Sequence, residues 1–354
     1  MLANRKLVLD TFCEVYDLIK PLADDTFWDF TKHTLVPSAV YLFGRTQFTT
    51  HAEQIKQLAR DGIILPALSN PAEGSDTMRW QLEGLGVIDL VKEGKILVIT
   101  GGLLPNDIPS LYYENFMPKL LDYKENIAAQ KEYSDRWTTK RPYKYLFLNG
   151  RGRKHRKFLL DNLDKSDAIW TNLDSAIGPI KFLDPKYEYD DYKNNVTTPP
   201  GDGFVKNHLF NNFWGEIYLK ADPYVDTYFS LVTETVFNYP YTFRTEKIWK
   251  PICIGHPWIA ASNVGYYRDM HNIGYHTFGH LIDESFDTID NNHDRLNRIA
   301  EVVTNLCKQD LASFVTAAQD VCKYNQQHLA ELSPKVRAEF PQRFIEYIND
   351  RSRV

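Results

Sequence analysis

The sequence has few of the features that mark secreted, membrane-spanning or disulfide-bonded proteins. Only four of its 354 residues are cysteine, and none forms a Cys-x-x-Cys pair, so we expect reduced thiols and a cytoplasmic location. No run approaches the roughly 18 consecutive apolar residues of a membrane span, so none is predicted. Asp10, Glu14 and Asp17 interrupt the apolar pattern at the N-terminus, which argues against a signal peptide.

Common nucleotide-binding and metal-binding motifs are missing as well. The chain contains neither Gly-x-Gly-x-x-Gly nor the P-loop pattern, so we expect no standard dinucleotide site and no P-loop. No His-Glu-x-x-His pattern occurs, and the histidines between 271 and 293 have spacings that match no zinc motif. No Asp-x-Asp motif ends a predicted strand, so the sequence predicts no obligatory metal.

An excess of positive charge is also missing. Lys and Arg number 41 against 46 Asp and Glu, giving a formal net charge of -5. Proteins that coat nucleic acids non-specifically are usually basic, so any contact with a polyanion must be local.

The sequence does contain a regular alternation of apolar runs and helical periodicity. This pattern favours α/β architecture, with parallel sheets covered by helices on both faces. We therefore predict two Rossmann-like domains facing a cleft, with a helical C-terminal tail. The predicted strands are 40–43, 62–68, 95–100, 145–149, 167–172, 228–233 and 257–261, and the predicted helices are 3–20, 50–60, 76–91, 112–135, 154–163 and 245–254.

The predicted domain limits follow from this alternation. We predict an N-terminal Rossmann-like domain over residues 1–135, a linker over 136–143, a C-terminal Rossmann-like domain over 144–320 and C-terminal helices over 321–354. A long polar stretch at 184–207 predicts a surface loop. Ligands of such sheets bind beyond the carboxyl ends of the strands, so that is where we look for site residues.

The strongest candidate site follows the predicted strand at 145–149. Two glycines open a turn there, and a helix begins among several cations. Glycine lets the backbone approach a ligand, a helix N-terminus offers unpaired N–H groups, and arginine adds bidentate donors for phosphate oxygens. The pattern predicts a diphosphate site, and the alternative is a solvated basic turn. The candidate residues are Asn149, Gly150, Arg151, Gly152, Arg153 and Arg156.

A second candidate site follows the predicted strand at 228–233. Glu234 comes directly after this strand, and Thr245 is a predicted N-cap with Glu246 and Lys247 in the first helical turn. A carboxylate here can accept hydrogen bonds from two sugar hydroxyls, and a lysine can lie against a phosphate. The alternative is a capped helix with a surface ion pair.

The order of these motifs resembles the C-terminal half of the α-1,3-fucosyltransferase family, over roughly residues 144–282. That family has a Phe-Glu-Asn stretch followed by Thr-Glu-Lys, and an upstream Ser-Asn…Arg turn that looks like the segment from Asn149 to Arg156. Here Thr235 stands where Asn would follow Glu234. The chain is also similar to glycosyltransferase-like proteins of bacteriophage and marine sequences, which share the Asn70-Pro71-Ala72-Glu73-Gly74 patch.

The resemblance implies a GT-B glycosyltransferase that uses a UDP- or GDP-linked sugar, is inverting and needs no metal cofactor. Arg156 would hold the diphosphate, and Lys247 would help to neutralise the phosphates. Glu246 would bind ribose or sugar hydroxyls, and Glu234 would line the donor site.

The resemblance also implies a catalytic base in a loop of the first domain, where Glu73 occupies a comparable place. An inverting transfer needs a carboxylate to take the proton of the acceptor hydroxyl. Asp107 and Glu114 are reserve candidates. The alternative for Glu73 is an acid that favours the dipole of the helix after it.

The acceptor has two candidates. From Arg136 to Lys157 there are nine Lys or Arg and no acid, with aromatic residues interleaved, which is typical of a nucleic-acid surface. Arg136, Lys140 and Arg141 would then contact DNA, for example phage DNA that carries a hydroxymethylated base. The fucosyltransferase likeness and the acidic net charge favour a glycan or lipid-linked sugar instead. A non-catalytic nucleotide-sugar-binding protein is the alternative from another functional class.

Overall fold

The computed structural model describes residues 5–150, 152–172 and 219–351, and it divides the chain into two α/β units. The first unit comprises Met1–Asn115, Tyr241–Phe243 and Pro334–Val354, and the second comprises Phe116–Pro240 and Arg244–Ser333. The long C-terminal helix therefore contributes to both units, with the division at Pro334.

The first unit contains a six-stranded parallel sheet with the strand order β2-β1-β3-β4-β5-β6. Because all strands run in one direction, their carboxyl ends form a single edge, the first carboxyl edge. The strands are β1 (Leu7–Asp10), β2 (Asp25–Phe27), β3 (Val40–Gly44), β4 (Leu65–Asn70), β5 (Leu97–Thr100) and β6 (Leu111–Tyr112). The helices are α1 (Tyr16–Ile19), α2 (Arg45–Thr50), α3 (Ala52–Arg60), α4 (Ser75–Gly84) and α5 (Ile88–Lys92).

Both faces of this sheet are buried, as is usual for parallel sheets. Successive side chains of a strand point to opposite faces. Leu7 and Leu9 accordingly pack in one cluster with α1 and the end of the C-terminal helix. Val8 packs in the opposite cluster, with apolar residues of α2, α3, α4 and α5.

The second unit contains a four-stranded parallel sheet with the order β10-β9-β7-β8. Its strands are β7 (Tyr143–Phe147), β8 (Ala168–Trp170), β9 (Thr227–Thr233) and β10 (Trp258–Ala261). Its helices are α6 (Phe116–Leu120), α7 (Lys124–Asp135), α8 (Lys154–Asn162), α9 (Asp222–Val225), α10 (Glu246–Ile254), α11 (Tyr266–Asn272), α12 (Asn292–Leu306), α13 (Leu311–Ala317) and the N-terminal part of α14 (Gln319–Arg351). The carboxyl ends of its strands form the second carboxyl edge.

The predicted α/β class, with parallel sheets and a C-terminal helix, is confirmed. The N-terminal prediction is wrong: instead of one helix over 3–20, the chain forms β1, a turn and α1. Leu7, Val8 and Leu9 are consecutive and fully buried, which is typical of a parallel strand, whereas the apolar spacing of the whole segment had favoured a helix.

The division of the chain differs from the predicted limits. Residues 116–135 belong to the second unit, because α6 and α7 pack against α10. Asn126 of α7 also accepts the backbone N–H of Leu219 at 2.9 Å. The predicted linker therefore connects α7 to β7 within the second unit. The loop predicted at 184–207 lies outside the described residues.

No helix in the described part of the chain is both long enough and apolar enough to cross a membrane. The four cysteines all lie within the described ranges and are free thiols.

Candidate functional site

The turn after β7 is tied to the ends of two neighbouring strands. Asn149 is buried, and its N–H donates to Oγ1 of Thr171, just after β8, at 2.9 Å. Its Oδ1 accepts the hydroxyl of Thr233, the last residue of β9, at 2.8 Å. Gly150 lies in open space, since a Cβ there would meet no described atom within 4 Å. Arg151, predicted to bind phosphate, lies outside the described residues.

Two buried side chains of α8 fix its first turn to the end of β9. Nε2 of His155 lies 2.9 Å from the carbonyl oxygen of Glu234, and its ring stacks on Phe237. Arg156 donates through Nη2 to the carbonyl oxygens of Thr233 and Glu234, at 3.0 and 3.4 Å. Burial, and then the charge of Arg156, lowers the pKa of His155 to about 3, so the imidazole is neutral and Nε2–H can donate.

The carboxylate of Glu234 is fully buried and accepts four hydrogen bonds. Oε1 accepts from the Thr245 N–H at 3.0 Å and from the Tyr266 hydroxyl at 3.1 Å. Oε2 accepts from the Thr245 hydroxyl at 2.6 Å and from the Thr235 N–H at 3.3 Å. Four bonds fill the accepting capacity of a carboxylate. Glu234 therefore follows its strand directly, as predicted. Its carboxylate, however, is engaged by neighbouring protein groups.

Burial raises the pKa of Glu234, against the charge of Lys247 and the hydrogen bonds of Thr245. Such a carboxyl is costly to bury unless its partners are in place, so its four donors and its burial depend on one another.

The start of α10 has the predicted cap. Thr245 Oγ1 accepts the Lys247 N–H at 3.3 Å, which confirms the N-cap. Lys247 Nζ lies 3.3 Å from the same oxygen and forms an ion pair with Glu246. Burial opposes ionisation of Glu246, but the charges of Lys247 and Lys250 prevail and lower its pKa. Glu246 is thus a charged hydrogen-bond acceptor with a cation beside it.

These contacts bring two helix starts together through one residue. The backbone of Glu234 holds the first turn of α8, and its side chain holds the first turn of α10. We call residues 153–156 and 245–247 the paired helix starts. Each helix N-terminus has N–H groups that lack a partner within the helix, and the positive end of a dipole.

Four cations at the paired helix starts are partly or fully exposed, namely Arg153, Lys154, Lys247 and, one turn on, Lys250. The acid in the first turn of either helix is Glu246. Cations and helix N-termini suit a diphosphate, and the carboxylate beside them suits hydroxyls.

The sequence interpretation missed two residues of this arrangement. His155 lies within the cation cluster, where the sequence pattern predicts site roles for Arg153 and Arg156 but none for His155. Tyr266 lies 32 residues from Glu234, and no local pattern connects the two.

At the first carboxyl edge, Glu73 is oriented by a cation. Its Oε1 accepts from Nη1 of Arg45, the first residue of α2, at 3.0 Å. Asp10, which ends β1, is fully buried and accepts the N–H groups of Phe12 and Gly44 at 3.0 and 2.9 Å. Burial raises the pKa of Asp10 despite these bonds. Asp10 was missed because β1 was predicted as helix.

The reserve carboxylates are placed differently. Asp107 is exposed and pairs with Lys92 at 3.0 Å, and the hydrogen bond from Lys92 lowers its pKa. Among the described residues, no hydrogen bond or ion pair joins Asp107 to Glu73. Glu114 is buried and accepts the hydroxyl of Tyr112.

The linker cations predicted to contact DNA are mostly occupied within the protein. Arg141 is buried and donates through Nη1 to the carbonyl oxygens of Tyr224 and Thr227 at 2.9 and 2.6 Å. Its assignment to a DNA surface is therefore wrong. Arg136 forms ion pairs with Glu132 and Asp222, at 2.5 and 2.7 Å. Lys140 is exposed.

Further along the same stretch, Lys144 pairs with Asp167 at 3.1 Å and Lys157 pairs with Asp161 at 2.9 Å. Three of the nine cations in this stretch, Arg136, Lys144 and Lys157, are therefore paired with acids.

Within the described residues, no group of three or more His, Cys, Asp or Glu side chains could hold a metal ion. An open cavity of about 580 Å³ in the first unit is lined by residues 49–54, 56 and 83–86, and none of the predicted site residues lies in it.

The neutral His155 predicts a specific response to acid. In the unfolded chain His155 takes up a proton near pH 6.5, whereas in the folded protein its pKa is about 3. Stability is therefore lost as the pH falls below 6.5. We expect His155→Gln, which keeps an N–H donor, to remove about 2 kcal/mol of the loss between pH 7 and pH 5. Urea unfolding at several pH values measures this, with the exposed His280→Gln as control. Equal pH dependence of all three proteins would contradict the buried, neutral assignment.

The buried Arg141 predicts a stability defect. Arg141→Ala leaves several buried acceptors without a donor, so we expect the free energy of unfolding to fall by about 3 kcal/mol. Lys140→Ala, next to it and exposed, should change it by less than about 0.5 kcal/mol. Thermal unfolding compares the two variants, and an Arg141→Ala protein as stable as the wild type would refute the structural role.

No family model, curated protein or solved structure matches this chain.

Proposed function

We propose that this protein is a glycosyltransferase of the GT-B type, which moves a sugar from a nucleoside-diphosphate donor to an acceptor hydroxyl. The observation that carries the proposal is the pair of helix starts held by Glu234. The N-termini of two helices, with cations nearby, are suited to binding a diphosphate. Two parallel-sheet units in one chain also agree with the family that the motifs resemble.

In this proposal the donor lies on the second carboxyl edge. Lys247 and the N–H groups of α8 and α10 bind the diphosphate, and Glu246 accepts hydrogen bonds from ribose or sugar hydroxyls. Asn149 shapes the open turn at Gly150. Arg156 shares the phosphate contact while its Nη2 stays on the carbonyls that fix α8. Glu234 positions both helices.

The reaction that we propose is a direct displacement. The acceptor oxygen bonds to the anomeric carbon while the bond from that carbon to the diphosphate oxygen breaks. The acceptor proton passes to the carboxylate of Glu73, which Arg45 orients. The negative charge that develops on the leaving diphosphate is offset by Lys247 and the two helix N-termini, so the proposal requires no metal.

The occupied linker cations bear on the acceptor. A DNA acceptor would draw most of its affinity from phosphate contacts, which need free cations. With Arg141 buried and Arg136 paired to two acids, the linker has little to offer a phosphate backbone. We therefore propose a glycan or other sugar-bearing acceptor, because a neutral acceptor does not need those cations.

Binding of the donor nucleotide tests the proposal. We expect UDP or GDP to bind the wild type, and Lys247→Gln to weaken that binding by about 1.5–3 kcal/mol, the scale of a charged hydrogen bond. Isothermal titration calorimetry measures both. Lys140→Gln removes the same charge from an exposed position of the same unit and should bind as the wild type does.

Two results would count against the proposal. The donor site would be refuted if neither nucleotide bound, or if Lys247→Gln bound as tightly as the wild type. If the nucleotide binds but no nucleotide sugar is hydrolysed during long incubation without acceptor, the protein is a binder and the transferase assignment fails.

A further inference from the structure

Two large aromatic side chains are exposed at the first carboxyl edge. Phe12 is 68% exposed and Trp28 is 59% exposed, although aromatic rings of this size are usually buried at least in part. Phe12 lies just after β1 and Trp28 just after β2, which are neighbours in the sheet. The Thr11 N–H donates to the Phe27 carbonyl at 2.9 Å, so the two aromatic residues extend from strand ends that are bonded to each other.

The backbone that carries these rings is held firmly. Gln47 of α2 donates to the carbonyl oxygen of Trp28 at 2.9 Å. The buried Asp10 accepts from Phe12 and Gly44 at once, which joins the ends of β1 and β3. The approach is so close that a Cβ on Gly44 would lie 2.9 Å from the Phe12 carbonyl oxygen. The rings therefore stand on a rigid support, which lowers the entropy cost of binding a ligand to them.

Polar groups with matching chemistry lie on the next two strands of the same edge. Arg45 follows β3 and Glu73 follows β4, and their ion pair is partly exposed. An aromatic face carries negative charge and attracts the weakly positive C–H groups of a sugar ring. Carboxylate and guanidinium groups pair with the hydroxyls at the rim of that ring. Aromatic surface with a few placed polar groups is the usual lining of a small-ligand site.

The charges at this edge distinguish a glycan from a nucleic acid, which also stacks on aromatic rings. Lys32 lies over the Trp28 ring at 4.4 Å, but it pairs with Asp29 at 3.1 Å. Arg45 pairs with Glu73. Each of these cations has an acid partner, so a phosphate backbone would gain little here. A neutral ligand fits the balance of charge.

We propose that Phe12 and Trp28 form a stacking platform for the sugar rings of a glycan, which is the acceptor of the transfer. Glu73, on the same edge, then receives the proton of an acceptor hydroxyl from a sugar held on the platform. The identification as acceptor rests on the proposed function, whereas glycan binding at the two rings does not.

A glycan array of neutral oligosaccharides tests the platform, with labelled wild type, Phe12→Ala/Trp28→Ala and Ile127→Ala. Ile127 is an exposed apolar residue of α7 in the other unit, so its variant controls for loss of exposed apolar surface. We expect the wild type and Ile127→Ala to bind the same oligosaccharides. The double variant should bind them about 100-fold more weakly, at about tenfold for each ring. Since both rings are exposed, the double variant should unfold at the wild-type temperature.

Three outcomes would overturn the platform. They are a wild type that binds no oligosaccharide, a double variant that binds as the wild type does, or a double variant that loses affinity for single-stranded DNA instead. Titration of the same variants with UDP and GDP keeps this test separate from the donor site. Unchanged nucleotide binding alongside lost glycan binding supports the platform, and absent nucleotide binding in the wild type refutes the proposed donor site alone.

Discussion

The two helix starts at the second carboxyl edge depend on one buried carboxylate, that of Glu234. Removing Glu234 would leave the Thr245 backbone and hydroxyl, the Tyr266 hydroxyl and the Thr235 N–H without their acceptor. Each buried donor without an acceptor costs about 1–3 kcal/mol, so loss of this one carboxylate would destabilise all of these contacts at once. The carbonyl of the same residue anchors α8. The geometry of both helix starts therefore depends on the hydrogen bonds of Glu234.

The parallel sheets explain why polar chemistry collects where it does. In each unit all strands end at one edge, and the helices that follow begin there with N–H groups that lack a partner within the helix. At the second carboxyl edge these termini are joined by cations and by Glu246. At the first carboxyl edge the same topology places a buried acid, an exposed ion pair and two exposed rings on four neighbouring strand ends. We propose that the two edges bind different ligands, one anionic and one neutral.

The sequence predicted most of the strands and helices but few of the side-chain contacts between them. Apolar runs such as 40–43 and the cap at Thr245 are local signals, so strands, helices and the N-cap could be found from short windows. Roles set by distant partners could not. Arg141 looked free because its acceptors, Tyr224 and Thr227, are more than 80 residues away. The Tyr266 hydroxyl on Glu234, 32 residues away, and the Arg45 cation on Glu73, 28 residues away, also lie beyond the reach of a local pattern.

Amide hydrogen exchange with and without saturating UDP or GDP tests the account most directly. A diphosphate held by the paired helix starts should slow exchange at both 153–156 and 245–247. The start of α13, which Asp310 caps elsewhere in the second unit, should be unaffected. Protection of both helix starts together is the predicted result. Protection of one without the other, or of neither while the nucleotide is bound, would contradict the claim that Glu234 assembles them into a single site.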